Sequence, residues 1–526
     1  MSDAQQAAGG RTKQAAESYV PGILTALAEQ PGRIALHWRG REITAREVTV
    51  AVSEAVHTLR GLGAGPGKTV AVLVSPNSPY MLAARYAAHL LGAAVTYIRS
   101  TNPGSTAPVL SASAQLRILL DSATSVLFAD AENAPRAREL AERAPGRFAL
   151  AVAAEEFGTP GDPAAEPVDP HTFPPRDPDS LAVITYSSGS TGEPKGVCQS
   201  ARLSDALVST TVPFVPEPRP RLLAATPLNF VVGQMADVVL TLGGTVFLHE
   251  GFDARRVLEA LTEHRITRTF MATPHLYQLL DLPEVREADL SSLRALLYTG
   301  VAAAPARIEE AVEVLGPVLL QVYGSAEGGR ISVLLPPEHR DLRLRTTVGR
   351  PFPEVEIAVR DLETARPLPA GEVGEVWVRS PNVMDGYLGD PAATARALRD
   401  GWYRTGDIGS LSADGYLTLV DRVADVVKTE GVKVYPAVVE REIAGLPGIA
   451  QAAVYGVRDA DRIEHVHAAV VVKPGAQLSA EEVRKHVAAA LSPVHAPEEV
   501  RFLDALPLGV SGKPDKRRLR QLYPVA

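Results

Sequence analysis

The stretch Leu181–Val197, LAVITYSSGSTGEPKGV, sets the reading of the whole chain. Leu181–Tyr186 is an apolar run of strand length, and Tyr186–Val197 (YSSGSTGEPKGV) follows it without a break. Four hydroxyls (Ser187, Ser188, Ser190, Thr191), the glycines Gly189 and Gly192, and Lys195 make a donor-rich cradle for a polyphosphate. Glycine lets backbone N–H groups approach anionic oxygens closely, hydroxyls add donors, and the lysine adds charge. The GxxxxGK[ST] pattern of a Walker A loop cannot be threaded through it. A solvated Ser/Gly linker would share the composition, but not a buried strand in front and a lysine at the end.

On both sides of this stretch, apolar runs of strand length alternate with amphipathic helical ones. Thr69–Ser75 reads as a buried strand and Tyr80–Ala93 as the helix behind it. Further strands are expected at Arg221–Thr226, Thr245–His249, Thr267–Ala272, Leu293–Thr299 and Val318–Tyr323, with helices such as Ala254–His264 and Ala304–Leu315 between them. That order implies crossover connections and an α/β fold of mostly parallel sheets covered by helices. Gly158–Pro178 carries seven prolines and reads as an extended connector. After about Pro351, short strands with Gly and Asp turns (Glu354–Arg360, Gly374–Arg379) suggest a smaller β-rich subdomain over about 345–421. From Val423 onward an α+β pattern appears: strands Ala452–Val457, Val466–Val472 and Val500–Leu503, helix Ser479–Leu491, and a basic tail Lys513–Arg520. The expected domains are therefore 1–421 and 422–526, the second of usual domain size.

Composition bounds the partners. The chain has 526 residues, a formal charge of -8 and one cysteine, Cys198. An acidic balance argues against a nucleic-acid surface or an anionic membrane as the main partner. One cysteine excludes an internal disulfide and a cysteine-based zinc site, which fits a reducing cytoplasm. Met1–Ser18 is polar with no apolar signal segment, and no run offers the ~20 apolar residues of a membrane span. The twelve histidines form no ligand spacing. Cys198 has no His near it in sequence and reads as a small buried residue rather than a nucleophile.

Tyr186–Val197 closely resembles the phosphate loop of the adenylate-forming superfamily, in its acyl-CoA synthetase branch, and the resemblance continues in order over nearly the whole chain. The fold it implies is a large N-terminal domain followed by a small mobile C-terminal one. Tyr323–Glu327 (YGSAE) resembles an element in which the tyrosine stacks on adenine and the glutamate binds Mg²⁺, which implies those roles for Tyr323 and Glu327 and a lining role for Gly324, Ser325 and Ala326. Gly300–Ala303 (GVAA) resembles the adenine-facing segment and implies contacts from Gly300, Ala302 and Ala303. Tyr403–Asp407 (YRTGD) implies Asp407 as the ribose ligand, and Arg422 in DRVAD is similar to a second ribose ligand at the domain junction. Pro507–Lys513 (PLGVSGK) implies Lys513 as the lysine that steadies the acid and α-phosphate. The expected ligands are ATP or an acyl-AMP, Mg²⁺ and coenzyme A, with a carboxylic acid as substrate.

The chemistry explains the set. A carboxylate attacking ATP brings two anions together; Mg²⁺ on Glu327, Lys195 on the phosphates and Lys513 at the α-phosphate would neutralise that repulsion. A thiol then attacks the acyl-AMP with AMP leaving. The resemblance implies that the C-terminal domain rotates between the two steps, bringing in Lys513 for the first and the face near Gly431 for the second.

Amino-acid-activating relatives hold the α-amino group with an aspartate early in the acid pocket. The corresponding Pro227–Met235 (PLNFVVGQM) has no anion, so an unsubstituted acyl or aryl acid is expected. Phe230, Val231, Gly233, Met271, Gly300 and Gly324 are the expected pocket, and the small residues around Gly300 suggest a bulky apolar acid. No carrier-protein domain follows Ala526, which favours free CoA. Four positions depart from the pattern. Ala326 replaces a hydroxyl residue, Ala424 an Asp or Lys at the hinge, Phe230 follows Asn229 where a histidine or bulky aromatic is usual, and Glu430 precedes Gly431. Losing one hydrogen bond to a charged group costs about 1.5–3 kcal/mol, or roughly one to two decades in rate. Besides a complete ligase, two readings stay open: a partial ligase that thioesterifies a preformed acyl-adenylate, and a non-catalytic adenylate-binding protein. The presence of Lys195, Glu327, Asp407 and Lys513 disfavours the last.

Overall fold

The structure, a computed structural model, describes residues 18–98, 110–158, 167–187, 195–229, 231–300, 303–429, 432–461, 463–473, 475–508 and 514–524. Two large sheets carry the N-terminal part. In the seven-stranded sheet, Thr69–Leu73, Ala94–Tyr97, Thr124–Ala129, Ala149–Val152 and Leu181–Ser187 run parallel. In the nine-stranded sheet, Ile34–Trp38, Thr245–Leu248, Arg221–Ala224, Arg268–Ala272, Ala295–Thr299 and Leu319–Ser325 are likewise parallel. The expectation of mostly parallel, helix-covered sheets holds, with antiparallel strands added toward the sides of each sheet. Lys195–Ser200 folds back antiparallel on Leu181–Ser187, Gly329–Leu334 on Leu319–Ser325, and Arg41–Thr44 on Ile34–Trp38. Such strands need no crossover helix and can be reached by a short turn.

The packing is layered. The helices Tyr19–Glu29, Tyr80–Leu90 and Val231–Thr241 lie between the sheets, in one core that takes Val70, Val95 and Phe128 from one sheet and Leu36, Leu222 and Phe270 from the other. Every residue of Tyr80–Leu90 is buried, as a helix covered on all sides requires. Strand alternation sends Leu223 and Met271 to the far face of the nine-stranded sheet, under the helices Ala254–Glu263, Thr273–Leu280 and Pro305–Leu315. A matching core on the far face of the seven-stranded sheet takes in Ile118, Leu119 and Leu140. Polar groups inside this α/β/α/β/α stack are paired where they are charged: Arg85 Nη2 meets Asp237 Oδ1 at 2.6 Å, and Tyr86 donates to the same oxygen at 2.6 Å.

Glu356–Arg360, Gly374–Arg379, Leu398–Arg399, Trp402–Leu411 and Leu417–Arg422 form the β-rich part. It starts later than 345, because Arg350–Pro351 is the edge strand of the nine-stranded sheet, and Gly386–Tyr387 is lent to the seven-stranded one. Of the expected connector, residues 159–166 lie outside the described residues. The remainder includes a single turn, Pro170–Thr172, that Asp169 caps by accepting from the His171 N–H at 2.9 Å.

Beyond residue 426, Ile449–Arg458, Glu464–Val472 and Glu499–Phe502 make a small mixed sheet with its own cores. The helix Ala480–Ala490 starts at a capping box between Ser479 and Glu482. The basic tail is corrected over its described part: Lys516–Leu522 is a helix, docked through fully buried Leu519, with Lys516 paired to Glu440 at 2.9 Å. Charge density alone reads as solvated, but one apolar residue per turn is enough to dock a short helix.

Candidate active site

Three strands converge on Asp407. Tyr323, near the end of Leu319–Ser325, donates its hydroxyl to Asp407 Oδ2 at 2.6 Å. Arg422, directly opposite Asp407 in the antiparallel pair of Trp402–Leu411 with Leu417–Arg422, places Nε 3.1 Å from Asp407 Oδ1. Thr405 accepts from the Asp407 N–H at 3.0 Å and donates to the Val376 carbonyl, which fixes the local bend. Burial, and after it the adjoining Asp407 carboxylate, raises the Tyr323 phenol well above its usual range, so it stays a neutral donor with a flat ring. The structure thus brings together Tyr323, Asp407 and Arg422, although they lie up to a hundred residues apart in sequence.

Glu327 sits in the turn between Leu319–Ser325 and Gly329–Leu334. Ser325 Oγ accepts from the Gly328 N–H at 2.9 Å and closes that turn, while the Glu327 carbonyl accepts from the Met384 N–H at 2.7 Å. Glu327 Oε1 accepts from the Tyr387 hydroxyl at 3.3 Å, and Lys195 Nζ lies 5.0 Å from the Tyr387 ring centre. Tyr387 therefore bridges the phosphate-loop lysine and the carboxylate, and burial lifts its own phenol well above the usual range. Sequence reasoning missed Tyr387. It missed Gln199 as well, whose side-chain amide donates to the Ala326 carbonyl at 3.1 Å. Neither lies in a motif, and only the pairing of Gly386–Tyr387 with Lys195–Ser200 brings Tyr387 into the site. Ala326 itself packs its methyl against an apolar cluster containing Val197 and Tyr403.

The residues expected to line the acid pocket lie in different settings. Val231 opens the Val231–Thr241 helix and is 41% exposed. Gly300 has φ +113° and open space where a side chain would start. Met271 is corrected: it is fully buried on the opposite face of its strand, and the residue facing the Val231–Thr241 helix is Phe270. A two-residue strand period makes such an error complete, since a slip of one changes the face. The glycines Gly233 and Gly324 serve the fold first: an added Cβ would lie 1.9 Å from the Leu228 carbonyl oxygen and 2.2 Å from that of Gly329, respectively. Ala303 packs on the helix-covered core beyond the nine-stranded sheet.

Ser188, Gly189, Ser190, Thr191, Gly192, Phe230, Ala302, Gly431 and Lys513 lie outside the described residues, as does the side chain of Ser187. Ala424 is exposed in a turn closed by the Asp425 N–H on the Arg422 carbonyl at 3.0 Å. Cys198 is half-buried, and burial, with Asp385 adding to it, pushes its thiol up to about 11. Such a thiol is protonated at neutral pH and unfit as a nucleophile. Among the described residues no three His, Cys, Asp or Glu side chains group as a metal site. One carboxylate still suits Mg²⁺, which takes one or two protein carboxylates and completes its shell with substrate phosphates and water.

Known proteins share this fold and much of this sequence. Residues 24–388 match the family model described as AMP-binding enzyme, and residues 438–513 match that of the AMP-binding enzyme C-terminal domain. The chain is 35% identical over 499 residues to a feruloyl-CoA synthase of an Amycolatopsis species, covering 94% of this chain and 96% of that protein. It is also 35% identical over 354 residues to a medium/long-chain-fatty-acid–CoA ligase of Mycobacterium tuberculosis, a shorter match covering 66% of this chain and 62% of that protein. Among solved structures, the amide bond synthetase McbA from Marinactinospora thermotolerans superposes with a TM-score of 0.84 at 35% identity, over 96% of this chain and 100% of that one.

Proposed function

Because the chain belongs to the AMP-binding enzymes and is an ATP-dependent, AMP-forming acyl-CoA synthetase, we propose that its substrate is a bulky, apolar carboxylic acid rather than an amino acid. The observation that carries this is the segment 227–235, which supplies no anion for an α-amino group; open space at Gly300 supports the size. The relatives named above for feruloyl and for medium- or long-chain acids agree with an apolar acid of some size.

In this reading the Tyr323 ring stacks on adenine, and the Asp407 carboxylate, oriented by Tyr323 and Arg422, takes the ribose hydroxyls. Lys195 faces the phosphates, and Tyr387 orients Glu327. Mg²⁺ on Glu327 would supply charge neutralisation at the phosphates. Lys513 would neutralise the α-phosphate as the acid oxygen attacks and pyrophosphate leaves. With the adenylate held, the C-terminal domain (422–526) turns about Ala424, and the CoA thiol enters past Gly431 and displaces AMP. A reducing, cytoplasmic setting accords with a single, half-buried cysteine.

A second reading concerns the acceptor. McbA is named an amide bond synthetase at an identity equal to that of the CoA-forming relatives, so an amine is the competing nucleophile. The test supplies a panel of fatty and aryl acids with ATP and either CoA or an amine, then synthetic acyl-AMP with each acceptor. Acyl-CoA from apolar acids is expected. Preference for amino acids would overturn the acid assignment, and faster amide than thioester formation would overturn CoA.

A further inference from the structure

The Val231–Thr241 helix is anchored in its middle by its own buried charge, Asp237, which Arg85 and Tyr86 hold from the Tyr80–Leu90 helix. Among the described residues, its first turn has no such buried ion pair. The segment leading into it, 225–229, has Thr226 Oγ1 and Asn229 Oδ1 buried without a hydrogen-bond partner among the described residues. What holds that segment comes from the other sheet. Asn77, in the loop after Thr69–Leu73, is 1% exposed and divides its side-chain hydrogen bonds between that segment and the two strand ends beside it. Its amide nitrogen donates to the carbonyls of Ala224 at 3.0 Å, Thr226 at 3.0 Å and His249 at 2.7 Å. Its Oδ1 accepts from the Leu228 N–H at 2.9 Å. With two protons for three carbonyls, one of these bonds is shared.

The clamp therefore ties the C-terminal ends of two neighbouring strands, Arg221–Ala224 and Thr245–Leu248, to the turn that starts the helix. The edge at the carboxyl ends of parallel strands is where open α/β sheets take their ligands. The link onward is steric. The Leu228 carbonyl oxygen would lie 1.9 Å from a Cβ on Gly233, so that oxygen already fills the space beside the first helical turn. A shift of Leu228 is passed to Gly233 and to Val231. Asn77 also has φ +52°, a left-handed conformation that Asn tolerates better than most residues.

We propose that Asn77 is a positioning residue for the acid pocket, setting through Leu228 where the Val231–Thr241 helix begins. This rests on the assignment of Val231 and its neighbours to that pocket. Among the described residues, the side-chain hydrogen bonds of Asn77 go to Ala224, Thr226, Leu228 and His249 and to none of Tyr323, Asp407, Arg422 or Lys195, so nucleotide binding should be little changed by its loss.

The test uses the full chain and compares Asn77→Gly, which keeps the backbone conformation but removes all four bonds, with Asn77→Ser, which can restore one. KM is measured for a straight-chain and an aryl acid, for ATP and for CoA, with Val231→Trp as a direct probe of the pocket. Asn77→Gly is expected to raise the acid KM about tenfold or more and to flatten the preference between the two acids. KM for ATP and CoA should stay within about twofold, with Asn77→Ser intermediate. A role in stability alone would lower the active fraction, hence Vmax, and leave every KM unchanged; that result overturns the proposal, as does failure of both variants to fold. If Val231→Trp alters the acid preference and Asn77→Gly does not, positioning by Asn77 is wrong while the pocket stands. If Val231→Trp leaves the preference untouched, the pocket assignment and the proposal fall together.

Discussion

Tyr323 and Asp407 differ in their demands: the buried phenol keeps its proton and donates a hydrogen bond to Asp407, which also holds Arg422. In the proposed function the pair serves the nucleotide. Both were legible in the sequence because each lies in a dense motif. Tyr387, which joins Lys195 to Glu327, lies in none, and Met271 was misplaced because a run of apolar residues does not show strand parity. Two single-residue predictions belong here. Lys513→Ala should abolish acyl-AMP formation from acid and ATP while leaving conversion of supplied acyl-AMP to acyl-CoA largely intact, because in the proposed function the lysine serves only the anionic first step. Equal loss of both would remove it from that role. Cys198→Ala should retain full activity, since a thiol pushed up to about 11 is protonated at working pH. Alkylation of Cys198 should be slow and accelerate only in strongly alkaline buffer; rapid labelling at neutral pH would contradict the burial argument.

Elements repeat the contrast. Buried parallel strands announce themselves as apolar runs, so Thr69–Leu73 and Leu181–Ser187 were placed within a residue or two. The antiparallel strands Lys195–Ser200 and Arg41–Thr44 carry mixed polar sequence without that signal, and the docked helix Lys516–Leu522 depends on partners distant in sequence. In the Ser325–Gly328 turn, Ala326 occupies the place of a hydroxyl residue and packs against Val197 and Tyr403. Ala326→Thr restores the hydroxyl that the resemblance expects at this position, where the alanine methyl now meets the apolar cluster. If the missing hydroxyl limits adenylation, the rate of acyl-AMP formation should rise by roughly one to two decades, with little change in thioesterification; an unchanged rate means the turn is not limiting. In the C-terminal sheet, both ring nitrogens of His465 face carboxylates, Asp459 at 2.9 Å and Glu498 at 2.8 Å. These hydrogen bonds raise its pKa above 6.5. The charged form is favoured in the folded state, so the stabilisation is complete below about 6.5 and fades as pH rises through the folded value. Thermal melts of wild type and His465→Gln should differ most in mildly acid buffer and converge in alkaline buffer. A gap that is constant with pH would show that the ion pairs carry no net weight.

Across the whole molecule, the proposed domain boundary lies at the turn after Arg422, and few contacts span that turn among the described residues. Among the described residues, Asp421 accepts from the Ala437 N–H at 2.6 Å, capping the first helix of the C-terminal part, and Lys433 pairs with Glu363 at 3.4 Å. A hydrogen bond to a charged group is worth about 1.5–3 kcal/mol and an exposed ion pair about 0–1 kcal/mol. Breaking both costs an amount that domain motions routinely absorb. The two cores beyond residue 426 draw on no residue before it, so the part could move as a unit without exposing the cores of either sheet. The chain around Ala424 must then change its dihedrals, and Ala424 is exposed in a turn with room to do so. Ala424→Pro fixes φ near -65° and restricts Val423 as well. It should hold the protein nearer one arrangement, so that one half-reaction falls about tenfold or more relative to the other, measured as acyl-AMP formed from acid and ATP against acyl-CoA formed from supplied acyl-AMP. Lys433→Glu, which turns the Glu363 contact repulsive, should shift the same ratio by no more than about fivefold, the equivalent of 1 kcal/mol, and Glu363→Lys on that background should return it. If Ala424→Pro lowers both half-reactions equally, the pivot lies elsewhere. If it changes neither, one arrangement serves both steps, and rotation of the C-terminal part is not needed for catalysis.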